Sequence, residues 1–302
     1  MGTKKTPILL VLILALLITH PAYAEKISLK LSFNTNSYGK GDLETWLPSL
    51  NSQWNDYSTE YPGTLAGEFV APTYGSNIEI ELRIPVFKGF GLNFAGSRLS
   101  GLEEGEVTYS SQDANQKEVQ YLLNDVSGLN LKIGFSYAAE LPFLEGLHLF
   151  GNVGRHLIYV KYKVENNYLL EIQILGREFL YESKQENSYS SDSLGWYAGL
   201  GVEYDVIQHV SIVFEIEKIW SKVNGFKGTQ LYKFYQDGEL VIDDPGKTSL
   251  YYYEDQLFGL ENYYEILQGH VDTPDDESIR NLRSGELNFS TLSVKFGIRF
   301  KF

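Results

Sequence analysis

The pattern that most limits the fold of this chain is an alternation of apolar and polar side chains at period two, repeated in eight segments between residue 26 and the last residue. In the closing segment, residues 290–302, Leu292, Val294, Phe296, Ile298, Phe300 and Phe302 take every second place. Ser293, Lys295, Gly297, Arg299 and Lys301 fill the gaps. Successive side chains of a strand point to opposite faces, so this is a strand with one greasy and one cationic face. Residues 26–34 set Ile27, Leu29, Leu31 and Phe33 against Ser28, Lys30 and Ser32, and residues 77–87 set Ile78, Ile80, Leu82, Ile84 and Val86 against Glu79, Glu81 and Arg83. A third segment starts at Phe90. The fourth, residues 129–138, places Asn130, Lys132 and Gly134 opposite Leu131, Ile133 and Phe135, and the fifth begins at Leu147. Residues 194–205 set Trp196, Leu200, Val202 and Tyr204 against Gly195, Tyr197, Gly199, Gly201 and Glu203. Residues 209–220 set Ile212, Phe214 and Ile216 against Ser211, Glu215 and Glu217.

Two architectures share this alternation, a soluble sandwich and a closed membrane barrel. The segments are close to the ~9–11 residues that a tilted strand needs to cross a bilayer. Their polar faces also carry charges on strands that must be central, which a barrel can pair inside. The connections alternate between tight turns (residues 87–89, 140–146 and 206–208) and long loops (residues 37–76, 101–128, 162–193 and 223–287). Short turns on one side and long loops on the other belong to an outer-membrane barrel. The expected fold is therefore all-β, a closed antiparallel transmembrane β-barrel of eight strands, with ten as the alternative, and long extracellular loops.

Residues 1–24 set the compartment. Lys4 and Lys5 precede an unbroken apolar run that ends in Ala22-Tyr23-Ala24, the order of a secretory signal peptide with a small-x-small cleavage site. The apolar core is about half of the ~20 residues that a membrane helix needs. The expected organisation is a signal peptide over 1–24 and one barrel domain over 25–302, placed in the outer membrane of a Gram-negative-type bacterium. The chain has 28 Gly, 22 Tyr, 17 Phe and no Cys. This composition favours strands and turns, and it supplies neither disulfides nor thiolate metal sites. A formal net charge of −14 repels phosphate backbones and argues against a nucleic-acid partner. No cofactor is expected. Acidic clusters at 243–244 and 275–277 offer oxygen ligands but lack EF-hand spacing, so no metal site is assigned.

With the apolar faces turned to lipid, the opposite faces gather Lys30, Arg83, Lys132, Lys295 and Arg299 with Glu79, Glu81, Glu203, Glu215 and Glu217 in the lumen. Charges withdrawn from water need partners, and this balanced set can pair across strands. An eight-stranded barrel is only just wide enough for its side chains. The set therefore reads as a plug, with a gate or narrow path for ions or small solutes as the alternative. Gly134, Gly199, Gly201 and Gly297 are expected to thin the filling. Strict alternation would turn Arg98 and Arg155 towards lipid; either they lie beyond the membrane, or a bulge near Gly96, Gly151 or Gly154 shifts the register.

Aromatic residues sort by strand end. Trp196 and Trp220 fall at the loop ends, and Tyr137, Tyr204 and Phe300 gather at the turn ends with Phe87, Phe90, Phe143 and Phe302. Such placement marks a girdle at each membrane interface. The last long loop is acidic and rich in tyrosine, and its Asp237-Gly238 step reads as a hairpin turn. Tyrosine suits adaptable recognition, so the loops are candidates for an extracellular ligand or protein, or else form a canopy packed loop on loop. A surface hydrolase acting on lipid A or peptides is the remaining alternative. No Ser/His/acid spacing stands out, and His270 with Asp272, Asp275 and Asp276 is a weak signal.

The alternating segments, the stretch GWYAGLGVEYDV (195–206) and the terminal aromatic together resemble the small outer-membrane barrels of the outer-membrane protein A, X and W type. The likeness is architectural and spans the mature chain. It implies outer-membrane lipid and lipopolysaccharide as surroundings. It also implies that Val294, Phe296, Phe300 and Phe302 form the signal taken up by the barrel-assembly machinery. The loops here are much longer than in the minimal members of that family.

Overall fold

The computed structural model describes residues 26–35, 38–73, 75, 78–87, 89–142, 144–256, 262–276 and 278–302. The signal segment over 1–24 lies outside the described residues, as do Phe143 and Glu277. Eight strands form the body: β1 (Ser28–Asn34), β3 (Ile78–Phe87), β4 (Phe90–Ser111), β5 (Gln116–Glu140), β6 (Leu147–Ile174), β7 (Arg177–Ile207), β8 (Val210–Trp220) and β15 (Thr291–Lys301). Each pairs antiparallel with its neighbours in the order β7-β6-β5-β4-β3-β1-β15-β8, and β8 pairs back to β7. The ring is closed, so these strands leave no edge, as lipid requires. The eight-stranded reading holds.

Four of these strands run far past the length that a bilayer needs. β4, β5, β6 and β7 hold 22, 25, 28 and 31 residues. The second and third long connections are therefore tall hairpins, with tight turns at Ala114 and at Leu175-Gly176, where φ is positive. β7 changes partner on the way up. Below, from Trp196 to Ile207, it pairs with β8; above, from Tyr181 to Ser190, it pairs with β10 (Lys227–Gln236). β10 continues into β11 (Glu239–Asp255), which carries β12 (Tyr264–His270) and β13 (Arg280–Ser284), while the short β9 (Lys222–Asn224) pairs with β14 (Glu286–Asn288). The turn between β10 and β11 is the Asp237-Gly238 step, with φ of 51° and 82°, as the sequence predicted.

The first long connection holds an element that was not predicted, helix α1 (Leu43–Glu60), followed by β2 (Gly63–Glu68) on the edge of β4. Leu43, Trp46, Leu47 and Trp54 are buried along one side of α1, the i, i+3, i+4 spacing of a helix with one apolar stripe. Asp42 anchors its start. Its carboxylate takes both guanidinium nitrogens of Arg283 (Nη1 at 2.8 Å) and the Glu286 backbone N–H at 2.6 Å.

The alternation keeps its phase along each strand, but its chemistry inverts. In β6 the even positions face inward throughout; in the lower part they include His148, Phe150, Asn152 and His156, then Ile158, Val160, Tyr162 and Val164. The odd positions face outward and pass from Leu149, Val153, Leu157 and Tyr159 to Lys161, Lys163 and Glu165. Below the switch the outside is apolar and the inside charged, as in a membrane barrel; above it the outside is polar and the inside is a packed core, as in a soluble protein. That upper core joins Leu43 and Leu47 of α1 to Leu99, Val126, Ile158, Ile219 and Phe289.

The expectation of a bulge near Gly96, Gly151 or Gly154 is not met. The β4–β5, β5–β6 and β6–β7 ladders run through these positions without a register shift. The shifts lie at the turn-end rim, between Pro85 and Phe87 and between Asp205 and Ile207. Arg155 faces outward, with its guanidinium carbon 4.2 Å over the Trp196 ring, and Trp196 stands directly opposite Trp220. Arg98 is also exposed on the outer face, opposite Leu129. Stacking on an aromatic face at the edge of the apolar band lets an arginine stay at that level.

Candidate functional site

The ten charged residues singled out in the sequence all lie inside the ring and are buried. Their strands bring them together in two groups. Towards the loop end, Lys132 and Lys295 each bridge Glu79 and Glu217, with Lys132–Glu79 and Lys132–Glu217 at 2.5 Å, Lys295–Glu79 at 2.7 Å and Lys295–Glu217 at 2.9 Å. The result is a closed four-membered ring of alternating charge. Towards the turn end, Glu215 contacts Lys30 at 2.6 Å, Lys30 contacts Glu81 at 2.7 Å, Glu81 contacts Arg299 at 2.9 Å, and Arg299 contacts Glu203 at 2.8 Å. Arg83 Nη1 lies 4.0 Å from Glu203.

Sequence reasoning placed Lys295, Arg299, Lys30, Glu79 and Glu81 in one cluster; direct contacts divide them between the ring and the chain. It also left out four members, Lys301, Asp205, His148 and Asn152. Lys301 reaches Glu203 at 2.8 Å and Asp205 at 2.5 Å, and His148 Nε2 lies 3.2 Å from Asp205. Asn152 donates to Glu215 at 2.7 Å. The polar phase of their strands already contained these residues.

The glycines do not thin the filling. A Cβ on Gly201 would overlap the Phe150 ring edge, one on Gly199 would overlap Asn152 and Glu215, and one on Gly134 would overlap the Tyr197 hydroxyl. Each gives up its side chain so that a larger one from a nearby strand occupies the space: Phe150 and Asn152 stand directly opposite Gly201 and Gly199, and Tyr197 reaches Gly134 over Gly154. Phe150 lies between two guanidinium groups, 5.1 Å from Arg83 and 5.4 Å from Arg299. Above the ring, Tyr38 accepts a hydrogen bond from Asn130 at 2.8 Å and packs on Phe289, so the chain entering α1 covers the charged layer.

The aromatic residues lie at the two rims of the apolar band. At the turn end Tyr137 packs on Phe90 with ring centroids 4.6 Å apart, while Tyr204 and Phe300 are exposed on the outer face. Val294, Phe296 and Phe300 lie on the outer face of β15, and the Phe302 N–H donates to the Ile27 carbonyl at 2.9 Å, joining the two ends of the barrel domain.

A second site was not foreseen. Between α1, β12 and the upper parts of β5, β6 and β7 lies a cavity of about 510 Å³. One wall is built from side chains on the inward phase of the three strands: Gln116, Glu118, Gln120, Asn166, Gln185 and Asn187, interspersed with Leu122, Val164, Tyr168, Leu170 and Tyr189. The opposite wall is largely apolar, with Trp46, Leu50, Trp54 and Tyr57 of α1 and Ile266 and Leu267 of β12. The Trp54 indole donates to Gln120 at 2.8 Å, and Gln120 donates to Asn166 at 2.9 Å. Glu118 accepts from Tyr57 at 2.7 Å, from Tyr168 and from Gln116. Burial, and next the Glu118 carboxylate, push the Tyr57 and Tyr168 phenols well above their ordinary range. At the far end of α1, Asp56 accepts from Tyr264 at 2.7 Å and from Asn262 at 2.9 Å, which holds its carboxyl below the usual range. The signal for this site was present in the sequence as the helical spacing of Leu43, Trp46, Leu47, Leu50, Trp54 and Tyr57.

No protein-family model matches the chain, and no curated protein matches it. Among solved structures, CarO of Acinetobacter baumannii is similar over 80% of this chain and 97% of its own, at 13% identity and a TM-score of 0.24. A Pseudomonas aeruginosa FadL homologue is similar over 95% of this chain and 93% of its own, at 8% identity and a TM-score of 0.16. At these values neither likeness carries an argument, and the fold rests on the strand pairings above.

Proposed function

We propose that this chain is an outer-membrane barrel of the small A, X and W type whose lumen is closed by ion pairs and whose extramembrane lobe performs its role at the cell surface. The observation that carries the reading is the ring of Lys132, Glu79, Lys295 and Glu217 across the lumen, each side chain no more than 3% exposed. A solute path would have to part four charge-assisted contacts, each strong in a site removed from water. The outer belt of Trp196, Trp220 and the outward Arg155 suits the headgroup level of a lipid A-bearing leaflet, and the terminal aromatic suits recognition by the barrel-assembly machinery. The hydrolase reading at His270 is not taken up in this proposal: His270 Nε2 lies 3.0 Å from the Tyr253 hydroxyl, and no acid contacts it among the described residues.

Single-channel recording in planar bilayers tests the reading. The purified protein is expected to insert without conductance steps; regular steps would replace the closed lumen with a narrow channel.

A further inference from the structure

We propose that the cavity beneath α1 binds a neutral, hydroxyl-rich ring compound, a saccharide of one or two units. This deepens the surface role proposed above and rests on the lobe standing outside the membrane. About 510 Å³ is within the usual size of a small-molecule site. The chemistry of the lining narrows the class. It holds no Lys or Arg, so nothing there compensates an anion. Its buried acid, Glu118, already accepts hydrogen bonds from Tyr57, Tyr168 and Gln116, so it does not call for a cation. Glu265 is partly exposed.

What remains is a largely apolar lining with uncharged amides set into it. Trp46, Trp54 and Leu50 offer apolar and aromatic surface, and the facing amides of Gln120, Asn166, Gln185 and Asn187 offer donors and acceptors. A sugar ring has the complementary character, with C–H faces that pack on aromatic rings and a rim of hydroxyls that bond to amides. Asn187 supplies the sharpest pointer. It is 4% exposed, lines the cavity, and its Oδ1 has no hydrogen-bond partner among the described residues. A buried acceptor left unpaired costs free energy, and a ligand hydroxyl would satisfy it. A purely apolar ligand would leave that acceptor desolvated without a partner.

Isothermal titration calorimetry on the full chain folded in detergent tests this, with D-glucose, D-galactose, N-acetyl-D-glucosamine, maltose and lactose as probes and phenethylammonium chloride and sodium decanoate as rivals. At least one sugar is expected to bind saturably. Asn187→Leu should weaken that binding at least tenfold, Leu50→Trp, which fills the space, should abolish it, and Trp220→Phe at the membrane belt should leave it unchanged. Heat-modifiable gel migration and far-ultraviolet circular dichroism confirm that each variant is folded. Absence of binding by every sugar, binding of a rival alone, or undiminished sugar binding in Leu50→Trp would each overturn the proposal. Conductance plays no part in the titration. A silent titration therefore leaves the closed lumen standing, and a conducting bilayer leaves the cavity standing.

Discussion

The Lys295 ammonium donates to the Glu79 carboxylate at 2.7 Å across the barrel lumen, although 216 residues separate them in the chain. Both groups are almost wholly buried, and Lys295 also reaches Glu217. Removing one member of a buried ion pair leaves its partner uncompensated and costs about 3–5 kcal/mol. Lys295→Met should therefore lower stability by about that amount in urea unfolding from lipid vesicles. The double change Lys295→Met with Glu79→Gln should cost less than the two single changes added together, because neither charge is then stranded. Simple additivity would show that the ring carries no coupling.

The lumenal glycines make a second prediction. A methyl group on Gly201 meets the edge of the Phe150 ring and the Phe214 carbonyl. Overpacking of this kind costs typically about 1–3 kcal/mol. Gly201→Ala should lower the midpoint of thermal unfolding, and Phe150→Leu introduced into the same chain should recover part of the loss. Had the glycine opened a path instead, Gly201→Ala would be neutral or stabilising.

His270, on β12 in the extramembrane lobe, makes the local stability depend on pH. Burial holds its imidazole below its ordinary value of about 6.5. The groups resting on it are the Tyr253 hydroxyl at 3.0 Å and the Tyr251 ring. A histidine with a depressed folded-state pKa stabilises fully above its unfolded value, and that contribution is lost as pH falls from about 6.5 towards the folded value. Hydrogen exchange of the β11–β12 ladder should be slow at pH 7.5 and faster, relative to the barrel strands, at pH 5.5. His270→Gln should flatten that difference, and an unchanged profile in this variant would remove His270 as its source.

The barrel was legible because period two is a strong signal wherever one face meets lipid: Leu131 and Ile133 point one way and Lys132 the other. The same signal misled where the environment changed. Above the membrane, Val160 and Tyr162 hold the inward positions that His148 and Asn152 hold below. Polarity alone therefore assigned these stretches to loops, with strand extension above the membrane legible only at residues 168–181, although the strand phase never breaks. α1 was missed because its apolar residues sit at helical spacing within a stretch assigned to a loop by its neighbours. The cavity was hidden further still. Its walls come from α1, three strands and β12, and only the pairing of Val164 with Asn187 and of Leu122 with Asn166 brings the amides onto one wall. In the lumen, the residue types were evident, but which lysine meets which glutamate depends on the stagger of the ring.

Substitution at Phe302 offers a test that separates folding from assembly. Its backbone N–H donates to the Ile27 carbonyl at 2.9 Å, while its side chain is 72% exposed at the rim. Phe302→Ala keeps the closing hydrogen bond and removes only an exposed ring. Refolding of this variant from urea into lipid vesicles, where no assembly machinery is present, should match the parent in yield and thermal midpoint. In cells, the heat-modifiable fraction recovered from the outer membrane should fall several-fold, with secretion intact. Deleting Phe302 removes the hydrogen bond as well, so it should reduce both. If Phe302→Ala inserts normally in cells, the terminal ring is no assembly signal; if it fails equally in vesicles, its role is in the barrel itself.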